Sequence, residues 1–522
     1  MTQSKQKKPT PKPSRGRRRG YIGRTNAHHI MLSPDWELAG MSAKNFKSIK
    51  NIIDLPLARI NLIYGQNSVG KSSLLQSLLV NKRNVSDLSY DSENNKELRF
   101  SGKTFDVGSF NHMTHMHKKD STIELGNTFR NKNDGEIEGE IKVALLFKKG
   151  EFSGINILLN NVMFNPDRWA NIKKDLDFPA LRVNGNLNFK FVNNNNHKEL
   201  KKIFSGDSRN SPGPYEKYLV AQNPVFEFKY VDTKKKIKKL AYESIMLPPF
   251  MVDRRMRHEI YGKTNTGQWK FGSDFGLFRS SSTQKFKTDE VLNTLAQVIH
   301  ETMELCERLE VVHIPPIRGI PGRSLIDMSA MNIDPSISYV YGLFNKKPDR
   351  ENKNIMRRPF SYQQRIRRMN GSRNPDKITK QINQSLAYLG MNYEVSTKSG
   401  SNLGRDGVNL VLKSKELKEA LAFSDVGKGI SQVLPIIAAV HGERGKLILV
   451  EQPEIHLHPK LQADIADIFI NDQESDQNKY IIETHSENLL LRLQSKVRNG
   501  KLSPDDVQII YLEKNKNGDI SP

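Results

Sequence analysis

Apolar and polar positions follow two periods along this chain, and the change of period marks its organisation. From Leu98 to about Tyr230 the pattern is mostly short alternating runs separated by Asn, Gly and Lys. Examples are Glu136–Phe147 and Ala180–Phe191, which predict antiparallel strands joined by turns. Phe226–Val231 and Lys239–Ile245 flank a lysine-rich turn and predict a hairpin. Residues 288–310 switch to helical spacing, with Val291, Leu292, Leu295, Val298, Ile299, Leu305 and Leu309 on one face. Val311–Ile314 then predicts a strand that stops at Pro315-Pro316, and residues 376–392 predict another helix. The N-terminal part opens with a strand and turn from Trp36, followed by an apolar strand at Ile60–Tyr64 and a helix start at Ser73–Leu79. Residues 85–97 are polar and predict a loop. Near the C-terminus come an apolar helix at Val433–Val440, a fully apolar strand at Lys446–Val450, a helix at 460–469 and a strand at Tyr480–Ile482. No heptads are sustained, so long coiled-coil arms are not expected.

The junction between the 60–64 strand and its helix carries the clearest chemistry. Residues 65–72 read Gly-Gln-Asn-Ser-Val-Gly-Lys-Ser, a complete G-x-x-x-x-G-K-[ST] phosphate-binding loop in the required strand–loop–helix setting. Asn67, Ser68, Gly70 and Ser73 would offer backbone N–H groups to phosphate oxygens, aided by the helix N-terminus. Lys71 would reach the β- and γ-phosphates of ATP, and the Ser72 hydroxyl would ligate Mg²⁺.

The C-terminal elements end in residues suited to the same chemistry. The 446–450 strand runs into Glu451-Gln452-Pro453-Glu454, and a carboxylate at such a strand end is how phosphate-loop enzymes hold Mg²⁺. The 480–482 strand runs into Glu483-Thr484-His485-Ser486, where His485 can sense a γ-phosphate by hydrogen bond. Ser424, Gly427, Gly429 and Ser431 precede the apolar helix and make a second anion site.

Charge changes the picture next. There are 81 Lys and Arg against 57 Asp and Glu, a net +24, which favours polyanionic partners, nucleic acid first. Residues 1–34 carry Lys and Arg, including Arg17, Arg18 and Arg19, but no acid, and read as a disordered basic arm. Such an arm either contacts nucleic acid or only solubilises the chain. Residues 345–375 form a second basic stretch, with Arg357, Arg358, Arg365, Arg367 and Arg368 interleaved with Phe360 and Tyr362. Phosphate contact and base stacking suit that mixture, and a solvated helix face explains it as well. The single cysteine, Cys306, permits no intrachain disulfide and reads as a buried thiol in a reducing, cytoplasmic setting. No apolar run is long enough to predict a transmembrane helix.

The order of phosphate loop, long insertion, Ser/Gly signature, Glu-x-Pro-Glu and Thr-His-Ser resembles the ABC-type ATPases of the RecF/SMC group. It is most similar to the branch holding the overcoming-lysogenization-defect (OLD) proteins and the ATPase subunits of bacterial anti-phage systems such as Septu, including retron-associated versions. Phe46-Lys-Ser-Ile, Asp106-Val-Gly-Ser-Phe110, Ile314-Pro-Pro-Ile-Arg318 and His456-Leu-His-Pro459 strengthen it. The resemblance implies an α/β fold, a P-loop ABC-type ATPase head with a mixed sheet, plus a β-rich lobe and a helical insertion. The head would occupy 35–100 and 401–522, the lobe 101–287, and the insertion with its basic stretch 288–400. The resemblance further implies that two copies, or a higher even number, close around ATP and Mg²⁺. Glu451 would then be the magnesium-side acid, His485 the switch histidine, and Ser424, Gly427, Gly429 and Ser431 the signature that caps the other copy's γ-phosphate.

Two departures matter. The family's catalytic glutamate is replaced here by Gln452, which can orient water but cannot accept its proton. Turnover is therefore expected to be slow, unless Glu454 substitutes. OLD nucleases carry a Toprim domain after the ATPase, and with about 37 residues following His485 none is expected in this sequence. His112, His115 and His117 lack a Cys or carboxylate that would complete a metal site. Any nuclease is thus expected in a separate partner subunit, with DNA or RNA, retron-type nucleic acid included, as the contacted polymer. A RecF-like repair ATPase and a non-hydrolysing, ATP-locked scaffold are the alternatives.

Overall fold

The computed structural model describes residues 36–88, 98–164 (apart from 103, 119 and 134–135), 181–193, 217–230, 238–247, 259–266, 269–273, 287–288, 290–316, 375–399, 408–414, 426–471 and 478–515, with positions 318, 340, 420–421 and 520–521. Among these residues the fold is mixed α/β, built on two large sheets and a small three-stranded one.

The first sheet has 12 strands. Most of its strands form an antiparallel meander in which Thr122–Asn133, Glu136–Lys148, Glu151–Phe164 and Leu181–Asn193 pair in sequence. The expected hairpin is there: Val225–Tyr230 pairs antiparallel with Lys238–Leu247, Phe226 opposite Leu240. Trp36–Lys44 and Ile53–Pro56 join the edge of this sheet, because Trp36–Lys44 pairs with Thr122–Asn133. The strand that opens the N-terminal part is thus continuous with the β-rich lobe, so one sheet crosses the sequence boundary drawn at residue 100.

The second sheet has six strands in the order Val311–Ile314, Leu447–Glu451, Lys479–Glu483, Ile60–Gly65, Val507–Lys514, Ile520–Ser521. The first five are parallel, and only the last pair is antiparallel. Alternate side chains divide this sheet between two cores, as the pleat requires. Ile63, Leu447, Leu449, Ile481, Ile510 and Leu512 face the core shared with the large sheet and the helix Lys71–Leu88. Ile60, Leu62, Ile448, Val450, Tyr480 and Ile482 face the core formed with the helices Lys428–Gly442 and Pro459–Ile470. A sheet covered on both faces explains why these strands are almost uniformly apolar.

Three local differences from the sequence reading have identifiable causes. The helix after the phosphate loop continues to Leu88, through residues expected to be loop. Its polar second half is held by tertiary contacts: Asn84 is buried and pairs with Val80 and Arg99, and Lys82 donates to the Glu307 carbonyl at 2.7 Å. The helix expected to reach residue 392 stops at Tyr388. Gly390, at φ 71°, takes the left-handed conformation that ends a helix, and Met391 N–H reaches back to the Leu386 carbonyl at 2.9 Å. Beyond it, Tyr393–Ser399 pairs with Val408–Ser414 in a small sheet that the helical reading of 288–400 did not contain.

The helices Pro375–Tyr388, Pro459–Ile470 and Glu487–Arg498 are tied at one buried carboxylate. Asp467 accepts from Arg492 Nη2 at 2.5 Å and Lys496 Nζ at 2.8 Å, and from the Tyr388 hydroxyl. Cys306 is buried in the helix Glu290–Arg308, and burial pushes its thiol up to about 12, so it is inert at neutral pH.

Candidate nucleotide site

Parallel sheets bind ligands beyond the carboxyl ends of their strands. Three such ends converge here. The strand Ile60–Gly65 feeds the phosphate loop, Leu447–Glu451 ends on an acid, and Lys479–Glu483, lying between them, ends on another. Register sets Glu451 directly beside Glu483, and Glu483 beside Ile63. Glu451 and Glu483 lie two residues beyond Leu449 and Ile481, so they face the same side as the helix that starts at Lys71.

The loop is shaped by its glycines. Gly65 has φ 149° and a Cβ there would lie 2.7 Å from the Leu512 carbonyl oxygen; Gly70 has φ 110° and a Cβ would lie 2.3 Å from Ile520 Cδ1 and 2.5 Å from Ser48 Oγ. Ser68 is also left-handed, at φ 59°. Asn67 and Ser68 are exposed at the tip, while Lys71 is only 4% exposed. Its ammonium donates to the Gly65 and Gln66 carbonyls at 2.9 and 2.7 Å, inside the loop. Burial lowers the Lys71 pKa against the pull of Glu483 and Glu454. Ser73 Oγ accepts from Ser48 Oγ at 3.0 Å, so the Phe46–Ile49 turn braces the loop. His115 Nδ1 lies 2.9 Å from the Lys47 carbonyl on the other side of that turn.

Sequence reasoning gave Ser72 and Glu451 as the magnesium ligands; the carboxylate in contact with the Ser72 hydroxyl is Glu483. The Ser72 hydroxyl lies 2.9 and 3.0 Å from its two oxygens. Burial pushes the Glu483 carboxyl up to about 7, and the nearby Glu451 charge adds to this, against the Ser72 hydrogen bond and Lys71. Glu451 instead contacts His313 Nε2 at 2.7 Å, and His313 Nδ1 lies 2.9 Å from Thr104 Oγ1. Neither Glu483 nor His313 was singled out from the sequence. The available signal was positional: Glu483 ends a strand as Glu451 does, and His313 stands opposite Leu449, on the face that Glu451 shares.

Gln452 follows at φ 46°, a left-handed conformation unusual for glutamine, and its N–H donates to the Glu483 carbonyl at 2.7 Å. Glu454 is engaged by the switch segment, accepting from Thr484 Oγ1 and from the His485 N–H, both at 2.7 Å. Burial and the Lys71 charge lower the His485 pKa, which keeps the ring neutral at pH 7. Arg318, 2% exposed, donates to the Glu451 carbonyl at 2.6 Å and receives Gln432 Nε2 on its own carbonyl at 2.7 Å. It therefore connects the acid strand to the helix that carries the signature.

In that helix, Gly427 is the N-cap and Gly429 lies against Leu457 and the His456 carbonyl. Ser431 is buried, with no hydrogen-bond partner for its hydroxyl among the described residues. Ser424 lies outside the described residues, as do Arg17, Arg18, Arg19, Arg357, Arg358, Arg365, Arg367 and Arg368. His458 caps the helix Pro459–Ile470.

The Glu483 shift has a measurable consequence. A carboxyl that holds its proton to about pH 7 when folded, against an ordinary 4.5, opposes folding once it ionises. Stability should fall as pH rises through that window, by up to about 3 kcal/mol. Glu483→Gln keeps an acceptor for Ser72 and removes the charge. Without nucleotide, its unfolding midpoint should exceed the parent's by more at pH 8 than at pH 5. An equal difference at both pH values would contradict the shift.

The sequence model of a family described as "AAA ATPase domain" matches residues 38–490. Among solved structures, the chain is similar to the SMC head domain from Thermotoga maritima, at 10% identity over 93% of this chain and 98% of that one, with a TM-score of 0.33. It is also similar to an Smc head domain with an extended coiled coil, bound to the C-terminal domain of ScpA derived from Pyrococcus furiosus, at 11% identity over 93% and 95%, TM-score 0.35. No curated protein matches the chain.

Proposed function

Because the chain belongs to the AAA ATPase domain family, we propose that this ATPase works as a slow nucleotide switch of the ABC type: two copies close around ATP and Mg²⁺, and the closed state gates a separate effector, a nuclease, in bacterial anti-phage defence. ATP is implied by the family, and the residues fit it. The loop has the left-handed glycines and the buried Lys71 that a phosphate cradle needs. The Ser72 hydroxyl and the carboxylates Glu451 and Glu483 are hard oxygen donors, the set that suits Mg²⁺. When bound, the ion would neutralise phosphate charge and orient the γ-phosphate.

The observation that carries the slow-turnover reading is Gln452. At the strand end where a general base is needed, the chain offers a carboxamide, and the neighbouring carboxylates are engaged: Glu451 with His313, Glu454 with Thr484 and His485. Neutral His485, next to the loop, can hydrogen-bond a γ-phosphate, and its N–H on Glu454 couples it to the segment that follows the acid strand. The signature residues Ser424, Gly427, Gly429 and Ser431 would cap the phosphate of the other copy. Of these, Gly427 is exposed at the helix start and Ser431 is turned inward, which favours the helix N-terminus itself as the capping group. Excess positive charge suits a nucleic-acid contact, and the anti-phage role rests on the sequence motifs.

Light scattering of the purified chain tests the switch. With Mg²⁺ and ATP the mass should double relative to the nucleotide-free protein, and with ADP it should not. A mass independent of nucleotide would overturn the proposal.

A further inference from the structure

We propose that Glu483 is a second acid of the magnesium site, holding the Ser72 hydroxyl in the nucleotide-free protein and making ATP binding strongly dependent on Mg²⁺. The inference rests on the nucleotide-site reading above and adds a residue that no phosphate-loop motif specifies.

Four observations carry it. Ser72 is the hydroxyl that the loop motif would set on the metal, and both Glu483 oxygens lie within 3.0 Å of it, so a cation that reaches Ser72 also meets Glu483. Glu483 is 3% exposed and stands beside Glu451 in strand register, which leaves two neighbouring buried carboxylates facing the place where ATP phosphates would lie. One oxygen of Glu451 is already taken by His313, so Glu451 alone offers the ion little. The nearby ammonium, Lys71, is spent on the Gly65 and Gln66 carbonyls.

The physical consequence follows from charge. Two ionised carboxylates at this place repel the phosphates of ATP unless a cation stands between them, and binding is therefore read at pH 8, where Glu483 carries its charge. In most phosphate loops a single acid sets this coupling, whereas here two would. The metal-free nucleotide should therefore bind poorly, and the metal–nucleotide complex well. Glu483 acts through Ser72 and the ion, as a positioning residue.

The experiment is equilibrium binding of mant-ATP to the full chain with excess Mg²⁺ and with EDTA, for the parent, Glu483→Gln and Glu483→Asp. The parent should bind about 10- to 100-fold more tightly with Mg²⁺. In Glu483→Gln that ratio should shrink by about fivefold or more, with EDTA affinity rising and Mg²⁺ affinity falling. Glu483→Asp, which restores the charge, should keep a ratio near the parent's. The glutamine variant retains an acceptor for Ser72, so its fold is expected to survive, and its circular dichroism spectrum checks this. A ratio unchanged in Glu483→Gln overturns the inference, and so does an affinity that drops equally in both conditions, since that is the signature of a purely structural role. If the parent binds mant-ATP in neither condition, the nucleotide-site reading falls and takes this inference with it.

Discussion

Gln452→Glu is expected to raise the steady-state rate of ATP hydrolysis by about two orders of magnitude, the lower end of what a positioned general base contributes. The argument is geometric. Residue 452 follows directly on the acid strand, its N–H is fixed to the Glu483 carbonyl at 2.7 Å, and its carbonyl faces Arg318. The backbone at this place is held at the ends of two parallel strands, one of which neighbours the strand that feeds the phosphate loop. The carboxamide there can orient water but cannot take its proton. Glutamate is nearly isosteric, so the backbone at φ 46° is not asked to change. Phosphate release measured for both proteins checks this. A change of less than about threefold would mean that residue 452 does not occupy the base position, or that Glu454 already serves.

Lys71→Ala should weaken ATP binding by about 100-fold, as expected from losing charge-assisted hydrogen bonds of ~1.5–3 kcal/mol. Lys71 is 4% exposed and its ammonium sits within the loop, held by two of the loop's own carbonyls. Calorimetric titration with a non-hydrolysable ATP analogue reads the loss directly, and ATP-dependent assembly should disappear with it. Affinity within threefold of the parent would contradict the assignment of this loop to phosphate.

What the sequence could and could not reveal follows from the range of the contacts involved. The phosphate loop, its strand and helix start, and the strands at 311–314, 447–451 and 479–483 were legible because each is specified within a few residues: glycines at fixed offsets, or a fully apolar run. The α/β class followed from them. The pairing of Trp36–Lys44 with Thr122–Asn133 was not legible, since a strand's partner lies outside its own pattern. The helix continued through residues 85–88 because Lys82 and Asn84, in the turn before them, found partners outside the helix at Glu307 and Arg99, overriding weak local preference. In the site, Lys71 and Ser72 were read from the spacing of the loop, while Glu451 and His485 were picked out at strand ends and took their roles from the family resemblance. Glu483 was passed over because it precedes the Thr-His-Ser motif instead of belonging to it, and its meeting with Ser72 depends on a 411-residue separation in sequence. His313 was hidden for the same reason, its partner Glu451 being supplied by a neighbouring strand.

The central claim is that this ATPase spends its cycle in a long-lived, ATP-bound pair. Its most direct test is to load the chain with radiolabelled ATP and Mg²⁺, isolate the assembled fraction, and follow release of labelled phosphate alongside its mass, with and without duplex DNA. The account predicts that label and doubled mass persist together and decay slowly. Rapid hydrolysis stimulated by generic duplex DNA, with no retained nucleotide, would contradict it.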